Sequence, residues 1–160
     1  MDHLWSPWRY QYISQAGPSQ DCIFCHKLSA NDDRESLIVF RGRHNFVLLN
    51  KYPYASGHVM IAPYAHVATL EEIDEPAAAE LMLLARRAEQ ILREVYRAPG
   101  FNIGMNIGAC AGAGVAGHIH MHALPRWPGD VNFLTSIGET RVIPEDLAVT
   151  YEKLTKAFSG

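Results

Sequence analysis

The chain is expected to fold as a single α+β domain spanning residues 1–160, with an antiparallel sheet of about five strands, one long helix against it and a second helix near the carboxyl end. Three features predict this. Short strand-like runs follow one another with turn residues between them, the apolar spacing then changes to the three- and four-residue steps of a helix, and strand-like runs return beyond it. A length of 160 residues suits one hydrophobic core.

Residues 1–20 carry Trp5, Trp8, Tyr10 and Tyr12 without a period and read as an aromatic arm that loosens at Gly17-Pro18-Ser19-Gln20. Beyond Cys22 and a polar turn, Ala30-Asn31-Asp32-Asp33, strands are predicted at 36–40, 45–49 and 58–62. Arg41-Gly42-Arg43-His44 suits a hairpin between the first two, and a turn with Pro53, Ser56 and Gly57 returns the third, giving an antiparallel meander. Thr69 with Glu72 has capping-box spacing, and Asp74-Glu75-Pro76 can open the long helix. Its apolar face is Leu81, Leu84, Ala88, Ile91, Leu92 and Val95, and Pro99-Gly100 ends it. A strand at 101–107, a glycine-rich loop at 108–117 and a strand at 118–124 follow, with Pro125 as the stop. The last helix is predicted from about 144 to 158, with Pro144 in its first turn.

Fourteen Lys+Arg against seventeen Asp+Glu leave a net charge of −3, which gives no basic surface for a long nucleic acid. A nucleotide bound here is expected to be small. No run approaches the roughly 20 apolar residues of a membrane span, and Met1-Asp2-His3-Leu4-Trp5 lacks the pattern of a secretory leader. The expectation is a cytoplasmic protein without a membrane partner. Two counts are unusual, eight His and three Cys. In a reducing compartment a close Cys pair points to metal or redox chemistry before a disulfide.

The most informative segment is His118-Ile119-His120-Met121-His122. Alternate side chains of a strand share a face, so the three imidazoles form one row while Ile119, Met121 and Ala123 point into the core. Their spacing lets all three border one small anionic group. Just before them, residues 108–117 hold four glycines, among them Gly112 and Gly114. Such a loop lets the backbone approach a ligand and aim N–H groups at phosphate oxygens. Cys22-Ile23-Phe24-Cys25 has the two-residue spacing of a metal knuckle but supplies only two of the four ligands zinc usually takes. A thioredoxin-like redox reading of this pair needs a βαβ setting that the sequence does not supply.

With its run His-φ-His-φ-His-φ-φ satisfied from His118 to Leu124, φ being hydrophobic, the chain resembles the histidine triad family of nucleotide hydrolases and transferases. The start Leu4-Trp5-Ser6-Pro7-Trp8-Arg9 and the tail Pro125-Arg126-Trp127, Gly129-Asp130 and Asn132-Phe133 are similar to a bacterial branch linked with diadenosine polyphosphate phosphorylase or hydrolase activity. The resemblance implies that His120 is the nucleophile at an α-phosphorus and carries a transient nucleotidyl group, and that His122 binds phosphate and assists the leaving group. A neutral imidazole with one nitrogen held by a hydrogen bond suits that task. Water as the acceptor makes a hydrolase and orthophosphate a phosphorylase.

The resemblance further implies that His66 and His118 complete a Cys2His2 zinc site with Cys22 and Cys25. Four filled positions make such a zinc structural. Asn50 falls where the family holds ribose hydroxyls, Ile23, Phe24 and Leu48 fall around the base, and Asn106 falls near the α-phosphate. A homodimer with a sheet continuous across its interface is implied as well. One departure is visible: many relatives carry Gly-Gln-Ser or Gly-Gln-Thr where this chain has Gly112-Ala113-Gly114, so backbone N–H groups must do more of the phosphate binding. Cys110 reads as a small packing residue, and His44 and His58 as surface or packing histidines. Two rival classes remain: a metal-dependent phosphoesterase in which all three histidines of the row grip a catalytic metal, and a non-catalytic nucleotide-binding module.

Overall fold

Residues 22–30, 32–131 and 143–160 are described by a computed structural model of the chain. The aromatic arm and the Asn132-Phe133 part of the tail lie outside the described residues. In chain order the elements are α1 (Ile23–Ser29), the single turn α2 (Asp33–Ser36), β1 (Ile38–Arg41), β2 (Asn45–Leu49), β3 (Val59–Pro63), α3 (Glu75–Tyr96), β4 (Gly100–Met105), β5 (Met121–Arg126) and α4 (Leu147–Ser159). The strands form one antiparallel sheet in the order β1-β2-β3-β5-β4, so β5 returns between the meander and β4.

Both faces of β2 and β3 are buried because two clusters meet across them. On one face Val47, Leu49, Val59, Ile61, Met121 and Ala123 pack beneath α3 and α4. On the other, Phe46, Leu48, Met60 and Ala62 pack beneath Phe24 of α1. The second layer stops short of β4, whose Asn102, Ile103 and Gly104 are all exposed.

Several boundaries differ from the sequence-based expectation. The strand expected from residue 36 starts at Ile38 because Asp32 caps α2 through the Glu35 N–H and Leu37 ends that turn at φ +61°. The strand expected at 118–124 begins at Met121. Upstream of it the Ile119 N–H donates to Val67 O at 2.7 Å. Pro125 does not stop β5; the β3 ladder has ended at Ala123, leaving β5 paired only with β4 there, a setting that tolerates proline. The last helix opens at Leu147, with Asp146 accepting the Ala148 N–H, so Pro144 precedes it. The long helix opens as expected, with Asp74 accepting from Ala77 N.

One carboxylate ties the long helix to the first hairpin. Glu80 of α3 accepts the successive backbone N–H groups of Arg43, His44 and Asn45, each at 2.7 Å, and the Asn45 amide at 2.9 Å. Removing the acceptor leaves several donors to find partners in a half-buried place. Glu80→Ala is therefore expected to destabilise the protein by about 2 kcal/mol, read as a lowered denaturation midpoint with an unchanged urea m-value.

Candidate active site and metal centre

The three imidazoles of the row go three ways. His118, fully buried, donates its Nε2–H to Pro63 O at 2.9 Å, because a carbonyl can only accept. That fixes the tautomer and leaves the Nδ1 lone pair facing Cys22 Sγ at 3.3 Å and Cys25 Sγ at 3.7 Å. His66 approaches from the loop after β3, with Nδ1 3.4 Å from Cys25 Sγ. All four ligand atoms lie within 4.8 Å of one another. In a tetrahedral zinc shell with bonds of roughly 2.0 to 2.3 Å, ligand atoms stand about 3.6 Å apart. Two thiols and two imidazoles at these separations fit a closed metal site. The four expected ligands are thus brought together: Cys22 is the N-cap of α1, Cys25 lies in its first turns, and His118 ends the glycine-rich loop.

His120 turns its Nδ1–H to the carbonyl of His118 at 2.8 Å. Its Nε2 makes no hydrogen bond to any described residue, so the lone pair stays available. Phe24 holds both rings in place, with its centroid 5.1 Å from that of His118 and 4.9 Å from that of His120. Burial pushes the His120 pKa down, only partly offset by the hydrogen bond to His118 O, so the ring is neutral at pH 7.

His122 points toward a fourth histidine. The Tyr54 backbone N–H donates to His58 Nδ1 at 3.1 Å, so in the neutral ring the proton of His58 sits on Nε2. That Nε2–H donates to His122 Nδ1 at 2.9 Å, which leaves His122 with its proton on Nε2. The outcome is a bare nitrogen on His120 beside an N–H on His122, the two ring centroids 5.0 Å apart. His58 is 1% exposed, so it is packed rather than on the surface, and its bond to His122 brings it into the site. No local sequence signal marks it: the β3–β5 register sets Met60 opposite His122, and His58 shares the face of Met60 two residues away.

Burial, and after it the neighbouring His120, lowers the His122 pKa to about 4. Unfolded, the ring takes a proton near pH 6.5. The unfolded chain therefore binds more protons between those values, and stability falls as pH drops from about 6.5 toward 4. The loss assignable to His122 is at most about 3 kcal/mol, since solvent screening reduces it. Thermal scans from pH 7 to pH 4.5 are expected to show a smaller drop for His122→Asn than for the parent; equal slopes would refute the assignment.

The other expected residues divide. Asn50, just beyond β2, spends its Oδ1 on Tyr52 N at 2.9 Å and sets Nδ2 3.5 Å from His58 Nδ1. Asn106 reaches across to Gly112 O at 3.4 Å, and Gly112, at φ +89°, closes a short 3-10 turn at Ala109–Ala111. Gly114 is exposed further along that loop. Of the three apolar positions only Ile23 is exposed, at 47%. Phe24 and Leu48 are both at 0%, and the Phe24 ring packs against those of His118 and His120. Cys110 is exposed rather than packed.

The geometry speaks against a metal gripped by all three histidines of the row, since the free nitrogen of His118 faces Cys22 and Cys25 rather than His120 and His122. Among the described residues the group suited to a metal is the Cys2His2 cluster.

The sequence and the fold are similar to those of known proteins. The HIT domain model matches residues 31–129. A protein of Mycobacterium tuberculosis named AP-4-A phosphorylase is 40% identical over 99% of this chain and 85% of its own length. The asymmetrical bis(5'-nucleosyl)-tetraphosphatase of Schizosaccharomyces pombe is 30% identical over 59% of this chain and 52% of its own length. Among solved structures, a zinc-bound histidine triad family protein from Mycobacterium smegmatis superposes with a TM-score of 0.71 at 26% identity, covering 88% of this chain and 95% of that one.

Proposed function

The chain belongs to the histidine triad (HIT) family, and on that premise we propose that it cleaves dinucleoside polyphosphates of the diadenosine tetraphosphate kind at an α-phosphorus through a nucleotidyl group on His120. The observation that carries this reading is the hydrogen bond from His120 Nδ1 to the His118 carbonyl, which leaves Nε2 as the nucleophile.

In the first step the Nε2 lone pair forms the N–P bond while the P–O bond to the bridging oxygen breaks. The leaving nucleotide departs with that electron pair, and the Nε2–H of His122 hydrogen-bonds the developing negative charge. His58 positions His122 by fixing its tautomer. In the second step an acceptor oxygen attacks phosphorus and the N–P bond breaks, restoring His120. Gly112 closes the turn, in which the N–H groups of Ala111, Gly112 and Ala113 bond carbonyls of their own loop, so the backbone N–H groups around Gly114 suit the phosphate oxygens; Asn106 suits the α-phosphate, and Asn50 with exposed Ile23 suits the transferred nucleoside. The printed name of the M. tuberculosis relative supports orthophosphate as the acceptor.

Zinc is the metal we assign to Cys22, Cys25, His66 and His118. Four protein ligands leave no position for water, so it would tie α1 to the segment bearing the histidines. A homodimer is supported by the outer edge of β4, where Ile103 is 41% exposed, and by Met82 and Leu83 of α3 at 59% and 61%. We also place the protein in the cytoplasm as one domain with its aromatic arm.

Product analysis tests the reaction. Diadenosine tetraphosphate incubated with the protein and orthophosphate is expected to yield ADP and ATP. Hydrolysis would instead yield AMP and ATP in either buffer, and absence of any turnover would refute the reading.

A further inference from the structure

On the site face of the sheet, β1, β2 and β3 are roofed by α1, but among the described residues nothing roofs β4. Phe24 closes over Phe46, Leu48, Met60 and Ala62, whereas Asn102, Gly104 and Asn106 are all exposed. The β4–β5 register sets Gly104 directly opposite His122 and Asn102 opposite Leu124. A Cβ built on Gly104 meets nothing within 4 Å, and its φ is not positive, so neither packing nor backbone strain requires glycine there. What glycine does provide is an uncovered strip of backbone beside His122.

One step along the same face, Asn102 is oriented by a dedicated partner. Arg126 Nη1 donates to Asn102 Oδ1 at 2.7 Å, while the rest of that guanidinium is held by Asp130. The amide is thus assigned, with Oδ1 taken and the Nδ2 donors bonded to none of the described residues. Arg126 has its charge balanced by Asp130 and acts by aiming Asn102. Same-face neighbours on a strand lie about 6.5 to 7 Å apart, so Asn102 stands one such step from the position facing His122.

We propose that this strip, Gly104 and Asn102 with Arg126 behind it, is the subsite for the leaving nucleotide: the distal phosphates of the dinucleoside polyphosphate cross Gly104 and accept hydrogen bonds from Asn102 Nδ2. The transferred nucleotide lies toward Asn50 and Ile23. In-line displacement sends the leaving group away from the nucleophile, and among the described residues β4 is the uncovered side of the sheet face. The subsite rests on the proposed function and adds to it a reason for preferring a dinucleotide over a mononucleotide.

Calorimetric binding on the full-length chain tests this, with His120→Asn as the parent to prevent turnover. AMP probes the transferred half alone, and diadenosine tetraphosphate probes both halves. Gly104→Val adds bulk in a residue that suits a strand and is expected to weaken diadenosine tetraphosphate by about 10-fold or more while leaving AMP within about 2-fold. Asn102→Ala is expected to weaken the dinucleotide by about 5-fold, the worth of one hydrogen bond. The subsite is overturned if the dinucleotide binds the parent no better than AMP, if both ligands weaken together, or if neither variant changes the dinucleotide. Failure of both ligands to bind the parent refutes the proposed function itself, along with the subsite that depends on it.

Discussion

Replacing His120 by Asn is expected to lower turnover of diadenosine tetraphosphate by about 10^4-fold or more while the protein stays folded, since loss of a covalent nucleophile removes the whole two-step route. Asn keeps a donor near the His118 carbonyl and occupies much of the same volume over Phe24, so stability should change little. The nucleophilic lone pair is what disappears. His58→Phe makes an informative companion, because it leaves His120 intact and removes the N–H that sets the His122 tautomer, together with the acceptor of the Tyr54 N–H. Its expected signature is a lower kcat with a nearly unchanged KM, and a labelled phosphohistidine should still form on rapid quenching. A His120→Asn protein that retains turnover within 10-fold of the parent, by about one RT ln 10 of barrier, would show that the bond to phosphorus forms elsewhere.

The contrast between these two residues marks how far the sequence could be read. His118, His120 and His122 were legible because the period of two is local, and a row of imidazoles needs only a strand-like backbone to be recognised. His58 was not, nor was the helical setting of the cysteine pair. His58 joins the site through the β3–β5 pairing, and β5 is separated from β3 by a helix and another strand in the chain. Helix α1 has seven residues, too few to display a helical period, yet it places Cys22, Phe24 and Cys25 together. Phe24 is placed around the base by resemblance alone; its packing against His118 and His120 is visible only in the fold. Leu37 at φ +61° carries no sequence signal, and for that reason the single turn α2 is not predicted and the first strand is read from residue 36.

Removing the metal is expected to cost both stability and chemistry, and the reason lies in one residue. His118 presents its ring to the cysteines and its carbonyl to the nucleophile. A metal that holds the ring therefore also holds the acceptor that keeps the His120 Nδ1 proton in place. A ligand present at 1,000 times its dissociation constant stabilises the fold by about 4 kcal/mol, and for a chain of this size each kcal/mol moves Tm by about 2 to 4 °C. Chelation, or Cys25→Ser, is thus expected to lower Tm by about 10 °C in scanning fluorimetry. Metal analysis should fall from one zinc per chain toward none. Cys110→Ser, an exposed position outside the cluster, should change neither quantity. Turnover is expected to decline in step with zinc content at a temperature where the chelated protein is still folded, because the His118 carbonyl is then free to drift from His120. Full activity in a folded, zinc-free protein would break that link and leave the metal as a clamp on α1 alone, whereas an unchanged Tm in Cys25→Ser would remove the metal from the site altogether.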